Sequence, residues 1–208
     1  MKLPEKTVER LSVYRRTLLE CLTKGKTHIY SHELARLHNI TAVQVRRDLM
    51  LIGYSSMKKK GYDARELIEV ISKLLDHKNG LNVIVIGMGN LGRAVTTYFT
   101  GKRPKLNIVA TFDVDSNKTN RVISGVNCYH IKDLKDMIKA NKISIAIITS
   151  PPEATATIAE TLVAAGIKGI LNFTTTPINA PESVFLEEFD MITSIEKVAY
   201  FVKDQVKS

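Results

Sequence analysis

Val83-Ile84-Val85-Ile86-Gly87-Met88-Gly89-Asn90-Leu91-Gly92-Arg93 is the stretch on which the reading of this chain turns. Four consecutive β-branched residues make a short strand with no polar face, as a strand covered on both sides requires. Three glycines follow in the order G-x-G-x-x-G, and a helical stretch, 91–100, opens directly after them. Each glycine has a physical task. Gly87 makes a tight turn, Gly89 lets a pyrophosphate approach the backbone, and Gly92 lets helix and strand pack closely. The helix start adds free amides and the positive end of its dipole, so Gly87 to Gly92, with Met88, Asn90 and Leu91 between them, form a candidate phosphate cradle.

Downstream, a second strand ends Thr111-Phe112-Asp113-Val114-Asp115. Asp113 lies 21 residues after Gly92, where a carboxylate grips the hydroxyls of an adenosine ribose. An acid there repels a 2′-phosphate, which favours NAD(H) over NADP(H) as the cofactor; Asp115 is the alternative for the same role. Apolar runs at 83–86, 108–112, 143–148 and 170–173 alternate with helical stretches at 91–100, 131–140 and 154–165. That grammar predicts an α/β unit of the Rossmann kind, a doubly wound parallel sheet with helices on both faces. An amphipathic helix is expected over 192–206, with Ile195, Val198, Ala199 and Val202 as its stripe.

Upstream the period is helical. Val8, Leu11, Tyr14, Leu18, Leu19 and Leu22 predict one buried face of a helix over 7–23, ended by Gly25. A second helix is expected from Ser31 as N-cap to His38-Asn39, and a third from Thr41 to Gly53. Thr41 and Gln44 have capping-box spacing, and Val45, Leu49 and Ile52 share the inner face. Two short helices joined by a brief turn make a helix-turn-helix. The polar segment 54–62, with Lys58, Lys59 and Lys60, fits the wing of a winged helix, and a fourth helix is expected over 64–75. His77-Lys78-Asn79-Gly80 reads as a linker. The expected organisation is residues 1–79 as a winged-helix head, 80–190 as the nucleotide domain and 191–208 as a terminal helix.

Charge separates the two halves. The chain carries +9 in all, and residues 1–79 hold sixteen Lys/Arg against nine Asp/Glu, a net +7. A basic head on a near-neutral body suits a polyanion such as double-stranded DNA. In a helix-turn-helix the start of the second helix meets base edges, which brings Ala42, Val43, Gln44, Arg46 and Arg47 into view. Gln bonds bidentately to adenine and Arg to guanine. Gln44 can instead be held in the cap, and one arginine can instead pair with Asp48 or a phosphate.

Catalysis finds little support. Tyr54-x-x-x-Lys58 precedes the nucleotide motif, three of the five histidines lie in the head, and His130 reads as a structural loop residue. Some twenty residues after the nucleotide unit are too few for a substrate domain. Cys21 and Cys128 are far apart and lack partner ligands, so they read as small buried thiols, with no metal site. No apolar run approaches the roughly 18 residues that cross a bilayer. The N-terminus has no secretory pattern, which makes the expected location cytoplasmic.

Taken together, Val45-Arg46-Arg47-Asp48-Leu49, Gly87-Met88-Gly89-Asn90-Leu91-Gly92-Arg93-Ala94, Phe112-Asp113-Val114-Asp115 and Gly169-Ile170-Leu171-Asn172-Phe173 resemble the Rex family of redox-sensing repressors. The corresponding family patterns are Q-V-R-K-D-L, G-x-G-N-L-G-x-A, F-D-x-D and G-I-L-N-F. The resemblance implies a homodimer with swapped terminal helices, released from operator DNA by NADH and permitted to bind by NAD⁺. It also implies that Tyr98 lies near the nicotinamide and that Asp190 sits at the swapped interface. Two departures stand out. The wing reads Gly53-Tyr54-Ser55-Ser56-Met57-Lys58-Lys59-Lys60-Gly61 against G-E-F-G-K-R-G. The loops Ser150-Pro151-Pro152-Glu153-Ala154 and Asn172-Phe173-Thr174-Thr175-Thr176-Pro177 replace V-P-A-E-A and N-F-A-P. Both loops lie at carboxyl ends of strands, where the nicotinamide half of a dinucleotide rests, so Ser150 and Pro151 join the cofactor-binding candidates. Three alternatives stay open: a small NAD-dependent oxidoreductase with a basic accessory domain, a CoA-binding protein of the same fold, and a repressor that has lost nucleotide sensing.

Overall fold

Helical period in the first third and alternating strands and helices in the remainder give two compact units, Met1–Lys78 and Asn79–Ser208. The structure, a computed structural model, describes residues 3–55, 61–203 and 205–206. Lys58, Lys59 and Lys60 lie outside the described residues.

The first unit runs α1 (Glu5–Thr23), β1 (His28–Ile29), α2 (Ser31–Leu37), α3 (Ala42–Leu51), β2 (Tyr62–Asp63) and α4 (Ala64–Leu75). The buried stripe of α1 is Thr7, Leu11, Tyr14, Arg15 and Leu18, whereas Val8 and Leu19, expected inside, are exposed. They sit one step around the helix from the stripe and share its edge with solvent. Leu11, Tyr14, Leu18, Ile29, Leu34, Val45, Leu49, Leu67 and Ile71 form one core joining all four helices. Arg15 ties α1 to the end of α4, donating to the Asp76 carboxylate at 2.8 Å and to the Ser72 hydroxyl at 3.3 Å.

Ser31 is not the N-cap of α2 as expected: it is the first helical residue, and the Glu33 carboxylate accepts from the Tyr30 N–H instead. The cap of α3 is half as predicted. Thr41 Oγ1 accepts from the Gln44 N–H at 3.1 Å, but the Gln44 side chain does not return the bond. In the expected wing region, β2 pairs antiparallel with β1, a strand of two residues that carries no readable period.

The second unit holds a seven-stranded sheet in the order β5-β6-β4-β3-β7-β8-β9. Its strands are β3 (Leu81–Ile86), β4 (Leu106–Asp113), β5 (Arg121–Ile123), β6 (Val126–His130), β7 (Ile143–Ile148), β8 (Gly169–Asn172) and β9 (Phe185–Glu188). All neighbours run parallel except β5 and β6. Helices α5 (Asn90–Phe99), α6 (Leu134–Ala140, after a short 3-10 turn at Ile131–Asp133) and α7 (Pro152–Ala164) connect them, and α8 (Met191–Val202) follows β9. The chain builds outward from β3 to β4 and β6, then crosses back to β7. The order therefore reverses beside β3, the doubly wound arrangement expected.

Alternation divides the strands' side chains between two layers. Ile84, Ile86, Phe112, Ile148 and Ile170 pack on Leu134, Ile138, Ile158 and Leu162 of α6 and α7. Val83, Val85, Cys128 and Ile147 pack with Met88 and Val95 beside α5. The second layer is thinner, and Ile145, Leu171 and Phe173 are only partly buried there. Every residue of α8 is exposed, including Ile195, Val198, Tyr200 and Phe201. Among the described residues no helix is long and apolar enough to cross a membrane.

Candidate functional site

Where the strand order reverses, the carboxyl ends of β3, β4 and β7 open on a pocket of about 530 Å³. That volume lies within the ~300–1,000 Å³ usual for small-molecule sites. Its wall includes Gly87, Gly89, Asn90, Leu91, Asp113, Asp115, Ser150 and Pro151, eight of the residues proposed from sequence.

Two glycines are forced by close approach. Gly87 has φ +96°, and a Cβ on it would stand 2.7 Å from the Ser150 Cα. A Cβ on Gly92 would overlap the Gly87 carbonyl. Gly89 is different, because a Cβ there meets nothing within 4 Å and would project into open space at the start of α5. That space is where the first-turn amides of a helix cradle an anion.

Asp113 is buried, and three donors meet its carboxylate. Its Oδ2 accepts from the Met88 N–H at 2.8 Å and from the Lys118 ammonium at 3.0 Å, and its Oδ1 accepts from the Asp115 N–H at 2.9 Å. Burial opposes its charge, but the Asp115 amide, the Lys118 ammonium and the Met88 amide together hold its pKa below the ordinary carboxylate value. The carboxylate thus clamps the glycine turn to the end of β4 and keeps its charge at the pocket rim. Asp115 is more open, lies 3.9 Å from the Lys118 ammonium and caps the turn that follows through the Asn117 N–H.

Sequence reasoning missed Lys118, Thr149, Val114, Ile131, Ala154 and Ile158 in the wall. The signal for Lys118 was a cation three residues after one candidate acid and five after the other. Thr149 is spoken for, since its hydroxyl donates to the Gly87 carbonyl at 2.8 Å. The Ser150 Oγ, by contrast, is buried with no hydrogen-bond partner. Met88 is buried beneath the turn, its sulfur 4.0 Å from the Thr96 hydroxyl. The threonines of the departing loop form a closed network. Asn172 Oδ1 accepts from the Thr174 hydroxyl, which accepts from Thr155, and Thr176 donates to the Pro152 carbonyl.

Tyr98 does not line the pocket. It is exposed at the end of α5, with the Lys102 ammonium 3.4 Å from its ring centre. Asp190 caps α8, its Oδ1 accepting from the Ile192 N–H and its Oδ2 from the Thr193 hydroxyl. A single chain brings neither residue to the pocket wall.

On α3, Asp48 organises the candidate nucleic-acid face from below. It is fully buried and accepts from Arg10 at 2.6 and 2.7 Å, from the Tyr14 hydroxyl at 2.9 Å and from the Gln44 carboxamide at 2.9 Å. Burial resists its ionisation, but these donors, Arg10 foremost, keep its pKa low. Gln44 is therefore held by Asp48 rather than by the cap, and Asp48 is paired with Arg10 rather than with Arg46 or Arg47. Both of those arginines are exposed, Arg46 resting 3.3 Å from the Ser31 hydroxyl. Ala42 is half-buried against the core, and Val43 projects outward beside it.

Cys128 is buried, and burial raises its pKa; Cys21 is half-buried rather than enclosed. His130 Nδ1 accepts from the Lys132 N–H and caps the 3-10 turn. Among the described residues no cluster of His, Cys, Asp or Glu could hold a metal ion.

Two families match the two units. Residues 78–176 match the family described as "CoA binding domain", and residues 2–49 match the one described as "Putative DNA-binding protein N-terminus". Curated relatives span the whole chain. The protein from Lactobacillus acidophilus named redox-sensing transcriptional repressor Rex is 35% identical over 205 residues, covering 99% of this chain and 97% of its own. Its counterpart of the same name from Exiguobacterium sibiricum is 33% identical, covering 100% and 94%. Among solved structures, RSP in complex with β-NAD⁺ and operator DNA superposes with a TM-score of 0.90 at 31% identity, over 99% of this chain and 94% of that one. RSP in complex with β-NADH gives a TM-score of 0.86 at 31% identity, over 99% and 96%.

Proposed function

The chain belongs to the Rex family of redox-sensing transcriptional repressors, and on that footing we propose that its first unit grips operator DNA while its second holds NAD(H). NADH binding releases the DNA and NAD⁺ permits it to bind. The observation that carries the nucleotide half is the pocket at the strand-order reversal, where a turn made of Gly87, Gly89 and Gly92 faces a charged Asp113 carboxylate. The residues present fit a dinucleotide. Gly89 and the start of α5 would hold the pyrophosphate, Asp113 with Asp115 the adenosine ribose, and Ser150 and Pro151 the second nucleoside. Relatives named as repressors accord with the lack of a catalytic pair in the sequence.

The nucleic-acid half rests on α3. Arg46 and Arg47 are exposed on a helix whose orientation is fixed by Asp48, and Val43 offers a methyl-sized apolar contact beside them. Lys58, Lys59 and Lys60 are assigned to phosphate contacts by their charge. Domain limits at 79/80 and 190/191 assign the reader, the sensor and a terminal arm. We take the arm to be α8, exchanged between two copies in a homodimer, because its apolar residues are exposed among the described residues and the sheet face beside α5 is only thinly covered. A cytoplasmic location accords with a DNA partner.

Thermal shift of the full chain with NADH, NAD⁺, NADPH or CoA, each with and without operator DNA, tests the assignment. NADH and NAD⁺ should stabilise, NADPH and CoA should not, and DNA should add to the NAD⁺ effect alone. A CoA response exceeding that to NADH would move the second unit to the other ligand class that its family match describes.

A further inference from the structure

Two side-chain polar atoms among the described residues are buried without a hydrogen-bond partner, Arg15 Nε and Ser150 Oγ. The first belongs to a guanidinium already paired with Asp76 in the head core. The second lines the nucleotide pocket. A hydroxyl enclosed without a partner costs the fold free energy, so native proteins seldom leave one unless a ligand or water completes it.

Ser150 cannot escape by moving its backbone. Gly87 packs against its Cα on one side, the preceding Thr149 N–H donates to the Ile86 carbonyl, and Pro151 after it confines Ser150 to extended conformations. The neighbouring hydroxyl, Thr149, is consumed by the glycine turn. Ile86, Leu91, Pro151, Ala154 and Ile158 give the same pocket an apolar part to its wall. Asp113 lies at the β4 end of the pocket and Ser150 at the β7 end, on opposite sides of the strand-order reversal. A dinucleotide with its adenosine ribose on Asp113 spans that reversal, so its second nucleoside comes to Ser150.

We propose that the Ser150 hydroxyl donates a hydrogen bond to an oxygen of the dinucleotide's second nucleoside, making it a binding residue that the glycine motif does not contain. The proposal rests on the NAD(H) reading above. It also gives a physical role to one of the loops that depart from the family pattern, in which this position is valine.

Ser150→Ala tests it, measured by calorimetric titration of the full chain with NADH, NAD⁺ and ADP, and by melting without ligand. Loss of one neutral hydrogen bond should weaken NADH and NAD⁺ about 3–10-fold and leave ADP, which lacks the second nucleoside, unchanged. The unliganded melting temperature should hold or rise, because an unsatisfied buried group has been removed. Equal weakening of ADP, unchanged NADH affinity, or a lowered melting temperature would each overturn the proposal. Failure of the unsubstituted protein to bind NADH would instead overturn the nucleotide reading on which it rests.

Discussion

Asp48 sits 38 residues from Arg10 in sequence, yet the two share an ion pair of 2.6 Å, with Tyr14 and Gln44 completing the carboxylate's bonds. Local reading offered Asp48 or a phosphate as the partner of one of its helix neighbours, Arg46 or Arg47. Only the fold of α1 against α3 reveals the true partner, and that substitution frees both arginines for another anion. Asp48→Asn leaves the Arg10 guanidinium without a counter-charge in a largely dry site. It should destabilise the head by about 3 kcal/mol, the lower end for a broken buried pair because Arg10 retains 26% exposure. The pH dependence follows from the same carboxylate. Its folded pKa lies below the ordinary 3.8, so its stabilisation is complete above that value and is lost as pH falls through the lower folded one. Acid titration of the head's melting should show this loss in the unsubstituted chain and a flatter acid limb in Asp48→Asn.

At the scale of elements, α5 makes opposite demands on glycines three residues apart. Gly92→Ala drives a methyl into the Gly87 carbonyl and should lower the melting temperature with or without ligand. Gly89→Ala meets open space, so melting without ligand should stay unchanged while NADH affinity falls on the order of tenfold or more, over 1.4 kcal/mol. On α3, Arg46→Ala and Arg47→Ala should each weaken operator binding by about 1–3 kcal/mol in a mobility-shift titration, with folding intact. Arg46 should show the larger sequence dependence if it meets a base, and Arg47 a reduced salt slope if it meets a phosphate.

Long periodic elements were legible because burial repeats along them. β7 and α4 fall at the residues expected, and β3 and α5 within two of them. Short elements were not. β1 and β2 have two residues each, and the β5–β6 hairpin escaped notice although Ser124-Gly125, both at positive φ, mark its turn. β9 was missed because its Phe185-Leu186-Glu187-Glu188 presents one partly buried residue at the sheet edge. In the site, the glycine turn and Asp113 could be read from spacing. Lys118 offered only its spacing from the two acids, which does not fix its reach to Asp113 until the turn after β4 closes, and the missing partner of Ser150 is visible only once the pocket exists.

At the scale of the whole molecule, an uncovered apolar helix is a liability that a second chain removes. With α8 as an exchanged arm, Ile195→Glu should convert a sedimenting dimer into monomer and weaken operator binding, since one head meets only one half-site. Tyr98 and Asp190, both away from the pocket wall in one chain, would then meet the site through the partner's arm.

The central claim is that the nucleotide controls the DNA, and linkage makes it measurable from both directions. An operator fragment selected by the protein from random duplexes should be titrated with the full chain in saturating NAD⁺ and in saturating NADH, at one fixed salt concentration. NADH should weaken operator binding by at least about tenfold, and operator should weaken NADH binding by the same factor. Equal operator affinity in the two nucleotides would contradict the account.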